Sequence, residues 1–178
     1  MGGRAAEQER IALFESAVLP YLDAAYNLAR WLTRDRVEAE DLAQEAMLRA
    51  LTYFDGFRGG DGRAWLLAIV RNAFYTSAKR RQAMGKREPL DDDVIGGDGL
   101  QDTETLLQHR LEVAALGPAI EALPVPLREV IVLREIEGLS YREIAEVAGI
   151  PIGTVMSRLA RARGALKRRL GAGAAKEA

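Results

Sequence analysis

Four side chains near the C-terminus, Thr154, Ser157, Arg158 and Arg161, recur at offsets of three and four. On a helix that spacing projects two hydroxyls and two guanidinium groups from one side. This is chemistry suited to base edges: an arginine forks onto the O6 and N7 of guanine, and a hydroxyl reads either partner of a pair. Arg163, Lys167, Arg168 and Arg169 extend the positive charge toward phosphates. An amphipathic basic helix on its own is as often a solvated face of a bundle, so its neighbours decide the reading.

Those neighbours are a short helix and a turn. Ser140 followed by Glu143 predicts a capping box, opening a helix with Ile144, Ala145 and Ala148 as its apolar positions. Gly149-Ile150-Pro151 breaks it. A second helix follows, with an inner stripe of Val155, Leu159, Ala162, Leu166 and Leu170. A capped short helix, a glycine turn and a long basic helix form a helix-turn-helix, whose second member enters the major groove N-terminus first. Upstream, Pro124 is a break and a helix from about Pro126 to Glu137 turns Val130, Ile131, Leu133 and Ile136 inward, with Gly138 as its cap.

The N-terminal half contains three substantial helices by the same periodicity. Pro20 starts the first, with Tyr21, Leu22, Ala25, Leu28, Ala29 and Leu32 as a buried stripe. After a turn at Thr33–Arg36, a helix from about Val37 to Phe54 faces Ala39, Leu42, Ala43, Ala46, Ala50 and Tyr53 inward. Its early turns are acidic, at Glu38, Glu40, Asp41 and Glu45. Those carboxylates suit the positive end of a helix dipole, and equally a docking surface for a basic partner. Between Asp55 and Gly62 lies a glycine-rich loop with Phe57 and Arg58 exposed; no Gly-Lys-Ser/Thr follows, so a nucleotide-binding P-loop is excluded. The third helix, from about Arg63 to Gln82, has Trp65, Leu66, Ile69, Val70 and Ala73 as its core face and ends in Lys79, Arg80 and Arg81. Aromatic rings beside cations suit single-stranded nucleic acid, on whose bases the rings stack; for Trp65 a plain core role is equally available.

Composition limits the alternatives. The 178 residues hold 25 Lys and Arg against 26 Asp and Glu, a formal net charge of −1, so the chain is no uniformly basic binder and the distribution of charge matters more than its total. There is no cysteine and one histidine, His109. Thiolate metal sites and disulfides are therefore excluded, and no metal, cofactor or catalytic residue is expected. No sheet-like alternation appears, so the fold is read as all-α. No leader-like or membrane-spanning apolar run is present, and a cytoplasmic protein without membrane insertion is expected. Glu88 to Thr105 loses all periodicity and concentrates acid at Asp91, Asp92, Asp93, Asp98, Asp102 and Glu104, the mark of a linker. The expected organisation is two small helical domains, 8–87 and 111–171, joined by a flexible acidic linker over 88–110.

Taken together the segments resemble the extracytoplasmic-function (ECF) type of sigma factor in the sigma-70 family of RNA polymerase subunits. AEDLAQEAMLRAL is similar to the family's region 2.2, RAWLLAIVRNAF to regions 2.3 and 2.4, and LPVPLREVIVLREIEGLSYREIAEVAGIPIGTVMSRLARAR to region 4. The resemblance implies a non-enzymatic subunit that binds core RNA polymerase, through the β′ coiled coil and β, and directs it to promoter DNA. It implies further that Asp41, Gln44 and Glu45 meet the coiled coil, and that Phe57, Arg58, Trp65, Asn72, Lys79, Arg80 and Arg81 capture the −10 element. Thr154, Ser157, Arg158, Arg161 and Arg163 then fall to the −35 element. The chain departs from the family where an acidic residue often stands, at Thr76, and where a basic one does, at Met156, so promoter preference does not transfer. An anti-sigma factor is the expected regulator. A linker of this length reaches only about 20 Å yet imposes no angle, so the two halves are expected to sample many orientations until a partner clamps them. The alternative is a sigma mimic, a protein-interaction module that sequesters an anti-sigma factor.

Overall fold

A computed structural model describes residues 2–85 and 116–174. The expected linker over 88–110, with His109, lies outside the described residues. Among those residues every regular element is helical: α1 Gly2–Ala17, α2 Leu22–Thr33, α3 Arg36–Thr52, α4 Gly62–Ala83, α5 over 116–121, α6 Val125–Ile131, α7 Tyr141–Ala148 and α8 Ile152–Ala174. Helix α1 is an addition to the three helices expected in the N-terminal half, the first of which starts at Pro20. Phe14 and the following Val18 are its inward anchors, and Arg10 ties it to the end of α3 by donating to Asp55 Oδ1 at 2.9 Å and the Leu51 carbonyl at 2.7 Å.

Helices α2, α3 and α4 pack around Leu28, Leu32, Leu42, Leu66, Leu67 and Val70, all buried. Close packing of α3 rests on alanines. Ala39, Ala43, Ala46 and Ala50 lie on its inner face, where a residue without a bulky side chain lets helix axes approach. Tyr53, expected inward, is 68% exposed, because the chain leaves α3 at Thr52 and turns into a 3-10 segment, Phe54–Gly56, that buries Phe54 instead. Aspartates start both long helices: Asp35 accepts from the Glu38 amide and Asp61 from the Arg63 amide, each at 2.9 Å.

In the C-terminal half, α6 is buried on all sides from Pro126 to Ile131 and then widens into a π-helical turn, Val132–Ile136, where the Glu137 amide reaches back to the Val132 carbonyl. Ile136 is 43% exposed, against expectation. The wider turn holds an extra residue, so positions after Ile131 leave the α-helical phase on which that expectation stood. Gly138 and Gly149 both take positive φ, 68° and 63°, where an L side chain would be strained. The capping box forms as expected, with the Glu143 amide donating to Ser140 Oγ and the Ser140 amide to Glu143 Oε2. These bonds hold the Glu143 carboxyl below the usual carboxylate range.

Gly62 opens α4 where the helix passes the end of α1, and a Cβ there would stand 1.9 Å from the Ala17 carbonyl oxygen. Helix propensity alone favours Gly62→Ala by up to about 1 kcal/mol. The clash outweighs it: the substitution should instead destabilise by roughly 3 kcal/mol, whereas Gly153→Ala, with nothing within 4 Å, should cost nothing. Urea denaturation of both variants checks the pair.

Candidate nucleic-acid interface

The two candidate reading surfaces are built on α4 with its preceding loop, and on α8. On α8, Val155, Leu159, Ala162 and Leu166 face the core. That leaves Ser157 exposed and Thr154, Arg158 and Arg161 half-buried along one outer side. Ser157 Oγ donates back to the Thr154 carbonyl at 3.0 Å. Arg163 stands apart from this group. Five residues beyond Arg158, it is turned away from that side, and its guanidinium pairs with Glu135 at 2.7 Å.

The α4 surface is divided in the same way. Arg58, Asn72, Lys79 and Arg80 are exposed, whereas Arg81 pairs with Glu38 of α3 at 2.7 Å. Phe57 was expected to be exposed and is half-buried. Its ring stacks on Phe54 (centroids 5.5 Å apart) and meets Trp65 at 5.1 Å, while Phe54 packs edge-on against Phe14 at 5.3 Å. The loop is thus held down by an aromatic cluster. One face of Trp65 remains open to a pocket of about 350 Å³ shared with Arg49, Tyr53, Gly56, Ile69 and Asn72. An aromatic wall beside an exposed amide suits a planar base.

The acidic residues of α3 form a third surface. Asp41, Gln44 and Glu45 are exposed, and Asp41 and Glu45 line a 210 Å³ hollow with Thr33, Glu38, Leu42, Phe74, Ser77 and Arg81. Glu45 also accepts from Arg49 at 2.5 Å, one turn along.

The halves of the chain are in contact, contrary to the expectation of freely varying orientation. Helix α4 lies against α7 and α2 against α6, and the junction contains charge that periodicity did not mark out. Arg71 Nε donates to Glu129 Oε1, the Tyr75 hydroxyl donates to Glu129 Oε2 at 3.2 Å, and Arg63 pairs with Glu137 at 2.6 Å. Glu129 is fully buried and Glu137 nearly so. Burial pushes the Glu129 carboxyl above the usual range against the pull of Arg71, and burial followed by the Glu129 charge raises the Tyr75 phenol. Arg128 donates to the Leu32 carbonyl at 3.4 Å across the same junction and to Glu121 and Leu123 carbonyls within its own half. A signal for this cluster did exist: Arg128 and Glu129 interrupt the apolar run of PLREVIVL.

Comparison with known proteins gives concordant matches. The family models for Sigma-70 region 2 and Sigma-70 region 4 match residues 17–84 and 114–166. The chain is 37% identical to the RNA polymerase sigma-H factor of Pseudomonas aeruginosa, over 88% of this chain and 86% of the relative. It is 36% identical to the ECF RNA polymerase sigma-E factor of Escherichia coli, over 72% of each. Among solved structures it resembles the sigma factor RpoE in complex with the anti-sigma factor NepR from Bartonella quintana (TM-score 0.68, 31% identity, 89% of this chain and 96% of that one). It also resembles CnrH in complex with the cytosolic domain of CnrY (TM-score 0.55, 26% identity, 96% and 91%).

The aromatic cluster makes a direct claim about the loop. Phe57→Ala should cost about 2 kcal/mol, less than truncation of a fully buried ring, and should wet Trp65. Chemical denaturation followed by tryptophan emission reads both effects; an unshifted spectrum with full stability would mean the loop is held by other contacts.

Proposed function

Because the chain belongs to the ECF type of the sigma-70 family, we propose that it binds core RNA polymerase and directs initiation at promoters by reading the −10 and −35 elements, as a binding subunit without catalysis of its own. The observation that carries this reading is the 37% identity to a curated sigma factor across nearly the whole chain, with both family regions present in order. The two domains of the proposal are 8–87 and 111–171, joined by the linker 88–110. No helix of the described residues is long and apolar enough to cross a membrane, in keeping with action in the cytoplasm.

Roles follow from exposure and chemistry. Arg161 with Thr154, Ser157 and Arg158 reads the −35 duplex, while Arg163, held by Glu135, contributes through its charge rather than through base edges. Arg58, Asn72, Lys79, Arg80 and the open face of Trp65 take the −10 element, with Phe57 shaping the loop and Arg81 lending charge. Extruding a base costs a few kcal/mol, so a ring and an amide that hold it favour strand opening. Asp41, Gln44 and Glu45 offer an acidic ledge to the polymerase. Control by an anti-sigma factor is supported by the similarly folded sigma factor RpoE, which is held in complex with the anti-sigma factor NepR.

Run-off transcription from genomic fragments with purified core polymerase tests the whole reading, and an inert protein that still binds an anti-sigma factor would favour the mimic. Two substitutions test the parts. Arg161→Ala should erase roughly 1–3 kcal/mol of base discrimination at one −35 position, measured as a flattened sequence preference. Reversing Asp41 and Glu45 to lysine should weaken competition for core polymerase while the circular dichroism stays that of the parent. Breaking the Glu45–Arg49 pair removes only a few tenths of a kcal/mol.

A further inference from the structure

The outer face of α8 carries two rows of side chains. Thr154, Arg158 and Arg161 form the polar one. Ile152, Met156 and Ala160, each one helical turn from the next, form the other, and all three are exposed. Among the described residues of the C-terminal half four large apolar side chains are exposed, and two of them stand in this row: Ile152 at 46% and Met156 at 54%. A single exposed apolar residue is ordinary. This row, however, begins at the first residue of the helix proposed to enter the major groove. Gly153 and Ser157 lie between the two rows, both small and exposed, and a Cβ on Gly153 would meet nothing within 4 Å. The helix can press close to a surface there, with hydrogen-bonding groups on one side of the contact and bare hydrocarbon on the other.

We propose that Met156, with Ile152 beside it, selects thymine by covering its C5 methyl group in the major groove, so that the upstream element combines thymine with the base read by Arg161. The inference rests on the reading of α8 as the −35 helix and deepens it. Base pairs present donors and acceptors in the major groove, and the thymine methyl is the apolar exception. A thioether is a weak acceptor and no donor. Met156 therefore gains little from a guanine or cytosine edge, and gains most where it sheds water against a methyl group. Its unbranched, polarizable chain adapts to the exact place of that methyl, whereas Ile152, stiff at χ1, offers a fixed surface one turn nearer the helix start. Ala160 carries only a methyl of its own and extends the apolar wall without reaching further. Specificity here comes from shape and dehydration, on the opposite side of the ridge from the arginines.

The test uses the full-length chain assembled with core RNA polymerase. A pool of random-sequence duplexes yields the preferred sequence, and each thymine of its upstream duplex element is then replaced by deoxyuridine, which pairs identically and lacks only the C5 methyl. Competition binding at one fixed salt concentration measures the change, since such affinities depend steeply on salt. At one upstream position or more the parent should bind the uracil duplex roughly fourfold more weakly, the worth of one buried methylene-sized group. Met156→Gln keeps the length and helix propensity of the side chain, and should bind the thymine and uracil duplexes alike at such a position. Arg161→Ala should keep the thymine–uracil difference while its own base preference flattens. Uracil tolerated at every upstream position overturns the proposal. So does a Met156→Gln chain that retains the full difference, since the methyl is then read by another group. Should Met156→Gln lose its helical circular dichroism, Ile152→Gln decides by the same comparison. A sequence selected without regard to the methyl leaves the sigma-factor reading standing and removes this inference alone; a pool from which no sequence emerges removes both.

Discussion

A carboxylate placed where water cannot reach it dominates this structure. Removing Glu129 from solvent costs several kcal/mol, and only good geometry with its partners recovers that cost. Arg71 and Tyr75 supply such geometry, and both come from the other half of the chain. The buried charge therefore makes the interior of the C-terminal half depend on the N-terminal half. An apolar residue in place of Glu129 would bury just as well, but it would not discriminate between one orientation of the halves and another.

The same dependence shapes the surfaces proposed to meet polymerase and promoter. The exposed acids of α3 lie away from the junction and are accessible in the closed arrangement, whereas the α4 and α8 surfaces are each partly drawn into it.

Much of this was legible in the sequence, for reasons that can be traced to residues. The stripe of α8 through Leu166, the capping box at Ser140 and the turn at Gly149 are local patterns, each fixed within a few positions, and the structure reproduces them; the stripe of α2 holds at Ala25, Leu28, Ala29 and Leu32, whereas Leu22, expected inward, is exposed at the helix start, where a 3-10 turn over Leu19–Tyr21 precedes it. Tyr53 and Ile136 were misread because periodicity assumes an unbroken α-helix, and each stands where the helix gives way to a 3-10 or a π turn. Gly62 closes the glycine-rich loop in the sequence; its importance lies in a close approach to Ala17, forty-five positions away, which no local pattern reveals. Glu129 and Glu137 were passed over for the same reason, since their partners are distant in sequence. Only the oddity of charge within an apolar run hinted at them.

Two of the ion pairs across the junction run in opposite senses along their helices. Arg63 and Arg71 are eight residues apart on α4, and Glu137 and Glu129 are eight apart in reverse order, Glu129 on α6 and Glu137 just past its π turn. Two attachments at such a spacing resist torque as well as pull, as a plank fixed by two bolts cannot swing about either. Releasing one pair alone leaves a carboxylate in the interior facing a displaced partner, at a cost of roughly 3–5 kcal/mol. Half-released arrangements are accordingly costly, so the two pairs reinforce one another in holding the halves in one orientation.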